Sequence, residues 1–363
     1  MKERVEKLAA LVAESELDAL IVGDLVRPGD SGRTEMANLR WLTRFGGTSG
    51  VAIVGPGIAT FITDFRYVER AEREVEGLEL ERAERQLLPA LAQRLAGRVG
   101  FDDANTSVKV KRRLEELAAD GVELLPSAGL VERLRRQKDE GELAAIREAA
   151  RLADQAYERA IEGGLAGRTE REVAAASAAA IRAEGGEPSF PAIVAAGPNG
   201  ALPHAEPTDR EIGPGELVVF DLGAELDGYC SDCTRTFAAG EPGEEEREVY
   251  ALVRAAQEEA LGATRAGAEG VKVDSAARDP IAAAGHGEEF GHGVGHGVGI
   301  EVHEAPRLAP SSEDVLEAGD VVTVEPGVYV SGRFGVRIED LVAVTDDGFE
   351  NLSGLSKDLR VVG

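Results

Sequence analysis

Apolar residues recur at helical spacing near the start of the chain, at Val5, Leu8, Leu11 and Val12, and predict a helix over residues 3–15. Short unbroken apolar runs at 19–22, 50–54 and 58–62 read as strands, the last two separated by the turn-forming Gly55-Pro56-Gly57. Helical spacing returns over 87–95 and 108–118, with strand texture at 99–101 and 122–125. Pro89 is compatible with the first of these helices because it lies in a first turn. Such alternation predicts an α/β domain built on a mainly buried sheet, placed here at residues 1–130. The charged stretch RLRRQKDEGE at 133–142 marks a boundary, and a second domain is expected over 139–363. It opens with a long helix, 141–162, whose buried face carries Leu143, Ile146, Ala150, Leu152, Ala153, Tyr157 and Ile161. An Ala-rich helix over 170–184 follows. From Phe190 the texture changes to strands, Gly-rich turns and histidines.

The chain has 363 residues, a length suited to two domains with real cores. Lys+Arg number 40 and Asp+Glu 67, a formal net charge of −27 that repels nucleic acid and anionic membrane. The charged, amphipathic N-terminus lacks the apolar stretch of a signal peptide, and no run of about 18 apolar residues occurs, so a cytoplasmic location is expected. Two cysteines, Cys230 and Cys233, provide no disulfide framework. On a strand they point to opposite faces and read as buried packing residues, Cys230 on the face of Asp232 and near any site there. All five histidines lie beyond residue 200, so the chemistry belongs to 190–345 and the N-terminal region to scaffolding or assembly.

Two hairpins in that region each carry a pair of acids. LVVFDLGAELDGYCSDCTRTF reads as two strands joined at Glu225-Leu226-Asp227-Gly228, and in a simple hairpin Asp221 and Asp232 would face each other with Cβ atoms about 5 Å apart. VVTVEPGVYVSGRFGVRIEDLVAV places Glu325 and Glu339 symmetrically about Gly332, each interrupting a β-branched run. Facing like charges are destabilising unless a proton or cation lies between them. Four acids in one dry pocket would each cost several kcal/mol unpaired, and divalent cations resolve that most simply.

The stretch 292–303 adds His292, His296 and His303, with glycines flanking the first two. No G-K-[ST] follows and no βαβ unit precedes it, which argues against a phosphate cradle. Four carboxylates with at least one imidazole suit Mn²⁺, Co²⁺, Fe²⁺ or Zn²⁺ and suggest two ions held about 3.5–4 Å apart, as in two-metal hydrolytic sites.

At these residues the chain resembles the X-Pro peptidases, aminopeptidase P and prolidase, of the methionine-aminopeptidase-like metallopeptidases. The motifs are FDLGAELDGYCSDCTRTF, GHGVGHGVGIEVHEAPRL, TVEPGVYV, GVRIEDLV and, upstream, PSFPAIVAAGPNGALPHAEPTDREI. The resemblance spans essentially the whole chain. It implies an α/β N-terminal domain followed by an α+β pita-bread (creatinase/aminopeptidase-like) catalytic domain with two pseudo-symmetric halves. It implies Asp221, Asp232, His296, Glu325 and Glu339 as ligands of two divalent ions, manganese first among the candidates, with Asp232 and Glu339 as bridges. It further implies Glu325 as acid–base group, His303 on the scissile carbonyl, and His204 and His292 in substrate binding and proton relay. Arg337 and Arg307 would hold carboxylates or orient neighbours. Tyr329 and Thr234 would support the site from behind, and His286 has no assigned role. The implied reaction is hydrolysis of X-Pro peptide bonds in proline-containing peptides by a homodimer. The favoured activity is aminopeptidase P-like, with prolidase restricted to dipeptides as the alternative and a metal-free pita-bread binding protein or a creatinase-like enzyme as rivals.

Overall fold

The computed structural model describes residues 1–23, 36–84 and 86–363, which form two compact units, Met1–Arg135 and Arg136–Gly363. Among the described residues no helix is long and apolar enough to cross a membrane.

The first unit is a six-stranded sheet in the order Glu79–Arg82, Ile58–Thr63, Gly50–Gly55, Ala19–Val22, Arg98–Phe101, Glu123–Pro126. The last three strands run parallel, and Gly50–Gly55 is antiparallel to both its neighbours. Val51, Ile53, Ile62, Val99, Leu91 and Leu114 pack together on one side of it. Helix Lys2–Glu14 buries the four apolar residues whose spacing predicts it. The helices Ala37–Thr43, Val68–Glu74 and Leu130–Arg136 and the strand Glu79–Arg82 were not foreseen. All four are short. Val68–Glu74 buries one residue and Glu79–Arg82 none, so they leave little periodic signal.

The second unit repeats one device twice: a pair of helices laid against antiparallel strands. Helices Glu140–Ile161 and Glu170–Ala183 cover the sheet Cys233–Ala238, Leu217–Leu222, Ile193–Ala196. Helices Glu244–Ala263 and Gly270–Ala283 cover the five-stranded sheet that contains Glu304–Leu308, Gly295–Gly297, Val321–Val324 and Asp340–Val344. Both helices of the first pair begin with a capping box, Asp139 with Glu142 and Thr169 with Glu172. Tyr157 locks the first pair to its sheet. Its ring packs edge-on against Phe220 at 4.7 Å, and its hydroxyl reaches the carbonyls of Phe220 (2.9 Å) and Cys233 (2.6 Å) on two neighbouring strands of that sheet.

The first hairpin departs from the expected register. Asp221 lies opposite Thr234, and the tip pairs Leu226 with Tyr229 around Asp227-Gly228, both at positive φ. The turn is therefore centred one position later than the Asp221–Asp232 midpoint. The resulting two-residue slip keeps Asp221 and Asp232 on the same face, because side chains alternate with period two. Asp232 sits with Ser231 where the ladder breaks between two sheets. The second hairpin has the register its spacing predicts, with Val324 opposite Asp340 and Gly327 opposite Arg337. Glu325 and Glu339 oppose each other in the break between the five-stranded sheet and the Gly327–Val330/Phe334–Arg337 ribbon.

Candidate active site

Strand interruptions free side chains from the regular ladder, and three of the four acids hang from such interruptions. Carboxylate oxygens of Asp221, Asp232 and Glu339 lie within 4.8 Å of one another, and all three residues are buried. His296 extends the group: its Nε2 is 3.7 Å from Asp232 Oδ2 and 3.3 Å from Glu325 Oε1. Its Nδ1 lies 3.1 Å from the Gly297 carbonyl, an acceptor only, so Nδ1 carries the proton and Nε2 is the atom aimed at the acids. Glycines beside His296 are required by close strand packing. A Cβ at Gly295 would fall 2.0 Å from the Thr323 carbonyl oxygen, and one at Gly297 would fall 2.2 Å from that of Ala305.

Thr234 donates to Glu339 Oε2 at 2.7 Å, and Arg337 contacts Asp221 Oδ2 at 2.7 Å and Thr234 Oγ1 at 2.9 Å. The other carboxylate oxygens, Asp221 Oδ1 and Glu339 Oε1, are buried with no hydrogen-bond partner. Buried acceptors are ordinarily satisfied, and two orphaned ones facing a cluster of acids and an imidazole nitrogen form a donor set that fits divalent cations.

The proton affinities reflect this crowding. Burial pushes Asp232 and Glu339 far above the usual carboxylate range, and neighbouring carboxylates push the same way. Burial also raises Asp221, with Arg337 pulling against it. For Glu325 burial is outweighed by the His296 hydrogen bond and charge, which hold it down at about 2. His296 is raised: burial opposes its charge, but Glu325 prevails.

The other residues singled out from the sequence occupy several different settings. Arg337 is 4 % exposed, and every guanidinium nitrogen is engaged, NH1 with Tyr329 Oη (2.9 Å) and the Pro203 carbonyl (3.2 Å). Such an arginine orients Asp221 and spends four of its five N–H donors inside the protein. His292 donates from Nδ1 to the Gly293 carbonyl at 2.8 Å and accepts at Nε2 from Tyr329 Oη at 2.9 Å, so both ring nitrogens are committed within the protein. Burial lowers its pKa. His303 is exposed, and its ring centroid is 4.3 Å from that of His296. Burial and the His296 charge lower its pKa. His204 is exposed beside Pro203, and Arg307 is exposed directly across the ladder from His296. His286 lies half-buried against Glu289. Cys230 and Cys233 are buried thiols in different apolar clusters, and Cys233 contacts the Glu339 carbonyl at 3.4 Å.

Two supports escaped the sequence reading. Asp274 and Arg278 form an ion pair along one helix (2.7 Å). Arg278 also donates to the carbonyls of Phe290 (2.7 Å) and His292 (2.5 Å), and Asp274 accepts from the Val294 N–H (3.0 Å). The i,i+4 spacing was a visible signal. Arg235, buried on the other side of the Cys233–Ala238 strand, holds Asp340 at 2.7 Å and the Glu339 carbonyl. A charged residue inside an apolar strand was its only trace.

The signature of Metallopeptidase family M24 covers residues 144–346, which contain Asp221, Asp232, Glu325, Glu339 and all five histidines, and that of the Creatinase/Prolidase N-terminal domain covers 4–137. The chain belongs to metallopeptidase family M24. This M24 peptidase is 34% identical over 380 residues to an Xaa-Pro dipeptidase from Pyrococcus furiosus, spanning 99% of the chain and 100% of that protein. Among solved structures it is similar to an Xaa-Pro dipeptidase from Bacillus anthracis, with a TM-score of 0.93, 36% identity and 99% of both chains covered. An X-Pro aminopeptidase from Thermotoga maritima follows at 0.89 and 32%, with 99% of this chain and 100% of the other covered. The M24 peptidase thus has a creatinase-type N-terminal domain followed along the chain by the pita-bread catalytic fold, and its family uses divalent metal ions.

Proposed function

We propose that the protein is an Xaa-Pro dipeptidase that works with two divalent metal ions. The observation that carries the reading is the clustering of Asp221, Asp232 and Glu339, joined by His296, which reaches both Asp232 and Glu325, with buried oxygens of Asp221 and Glu339 that no donor satisfies. Asp221, Asp232, His296, Glu325 and Glu339 would hold the ions. Asp232, which reaches both the Asp221–Glu339 pair and His296, and Glu339 would be shared between them. An oxygen-rich set with one nitrogen favours Mn²⁺, with Co²⁺, Zn²⁺ or Fe²⁺ as substitutes. Such ions supply Lewis-acid polarisation of a carbonyl and make water acidic enough to ionise near neutral pH.

The rest falls to side chains. Glu325, whose Oε1 lies 3.3 Å from His296 Nε2, takes a proton from the attacking water and delivers it to the departing proline nitrogen. That nitrogen is tertiary in the peptide and offers no N–H to recognise. His303 and His204, both exposed at the mouth, donate to the scissile carbonyl oxygen as it gains charge. Arg307, exposed across the ladder from His296, takes the C-terminal carboxylate of a dipeptide. His292 and Arg337, committed to internal partners, hold Tyr329 and Asp221 in place and act indirectly.

The sequence alone leaned towards an aminopeptidase P-like activity. Similarity over the full length to proteins named Xaa-Pro dipeptidases favours the dipeptide-restricted alternative. Purified protein supplied with Mn²⁺ or Co²⁺ is expected to hydrolyse an Xaa-Pro dipeptide and to leave an Xaa-Pro-Xaa tripeptide largely intact. Equal or faster turnover of the tripeptide would return the assignment to an aminopeptidase. A homodimer belongs to the same proposal and is read by light scattering.

A further inference from the structure

The segment 197–207 carries His204, and one side chain ties down both of its ends. Glu170, the first residue of helix Glu170–Ala183, is fully buried. Its Oε1 accepts from the Ala196 N–H at 2.8 Å and from Asn199 Nδ2 at 3.0 Å. Its Oε2 accepts from Asn199 Nδ2 and the Thr208 N–H, both at 3.0 Å, and from Thr208 Oγ1 at 2.6 Å. Ala196 ends the strand before the segment and Thr208 follows it. The carboxylate is not needed by its own helix, which Thr169 and Glu172 already cap.

Burying a carboxylate among neutral donors is expensive, and it persists only where every lone pair is used. Here the donors come from the two ends of one loop. Inside that loop the Pro203 carbonyl accepts from Arg337 NH1 at 3.2 Å, and the next residue is His204. His204 lies close enough to His303 for the charge of one to be felt by the other. The loop is therefore fixed at its root by Glu170 and near its tip by Arg337, with His204 presented beside the site.

We infer that Glu170 is a positioning residue for His204, closing the loop 197–207 into the one shape that sets this imidazole beside His303. The role of His204 in turnover rests on the dipeptidase reading; the hold of Glu170 on the loop does not. Glu170→Gln keeps the size but turns an amide N–H₂ towards donors that it cannot accept from. With an Xaa-Pro dipeptide and Mn²⁺, Glu170→Gln is expected to lower kcat/KM about 100-fold, the scale of a 1 Å misplacement. Bound metal, measured by mass spectrometry, should be unchanged.

A double-mutant cycle with His204→Ala gives the decisive readout. If Glu170 acts through His204, adding Glu170→Gln to His204→Ala costs little more. An equal fold loss in both backgrounds, or loss of metal, would overturn the inference. Should Glu170→Gln fail to fold, Asn199→Ala and Thr208→Val, each removing donors from Glu170, enter the same cycle. Amide exchange provides a measure without substrate. Exchange within 197–207 should rise in the variant while that of 289–303 stays as in wild type, and unchanged exchange in 197–207 overturns the inference. If wild type cleaves no Xaa-Pro dipeptide, the functional reading falls, and the exchange measurement alone decides the role of Glu170.

Discussion

Asp64 and Glu325 are two carboxylates held at about 2, by different means. Asp64, in the N-terminal unit, owes it to Arg66, whose Nε and NH2 contact it at 2.9 and 2.7 Å, with Ser49 adding a hydrogen bond at 2.6 Å. A folded-state value below the ordinary 3.8 means stability that is fully present above 3.8 and is lost as pH falls from there through about 2. Asp64→Asn should therefore be less stable than wild type at neutral pH, with the gap closing over that acid interval in urea titrations. Because Arg66 is partly exposed, the gap will be small. Glu325 is held down by His296, which keeps it ionised. Glu325→Gln should lower kcat by about 10²–10⁴-fold, the usual share of a general acid–base group, with metal still bound. Full activity in that variant would end its assigned role. Glu325 and Glu339 were visible in the sequence because an acid inside a β-branched run is conspicuous. The commitment of Arg337 and His292 to internal partners was not, since those partners, Asp221 and Tyr329, lie far away in the chain and are chosen by tertiary packing.

Strands and hairpins decided which acids meet. The second hairpin was legible because its turn is symmetric about Gly332 and its register follows from spacing alone. The first was misread by one position, since the paired positive φ angles at Asp227-Gly228 set the turn, and equal spacing of two aspartates carries no information about that. Tyr157 was placed on the buried face of its helix correctly, but its hydroxyl contacts could not be read from periodicity. They bridge the two strands that lead to Asp221 and Asp232. Tyr157→Phe would leave the carbonyls of Phe220 and Cys233 without that donor and should cost about 1–3 kcal/mol in chemical denaturation. A cost near zero would mean that the ladder alone fixes those strands.

Alternation of helix and strand was enough to foresee an α/β region followed by a second region richer in antiparallel hairpins. Bringing distant acids into one buried cluster works against folding of the chain taken alone, because burial and like charges disfavour their ionised forms. An ion that binds only the folded state adds about 2.7 kcal/mol when present at 100 times its dissociation constant. Chelation is thus expected to lower Tm, and restored Mn²⁺ or Co²⁺ to raise it again; an identical melting curve with and without chelator would count against metal at this site. The ribbon next to the cluster ends in Ser331, Gly332 and Arg333, all exposed. The four strand residues Gly327–Val330 lie between that tip and Glu325, about 13 Å at 3.3 Å per residue. Both native thiols are buried. Ser331→Cys would accordingly create a single accessible anchor for a fluorophore or a solid support, carried at arm's length from the chemistry, so that turnover could be followed on tethered molecules without touching a group that takes part in it.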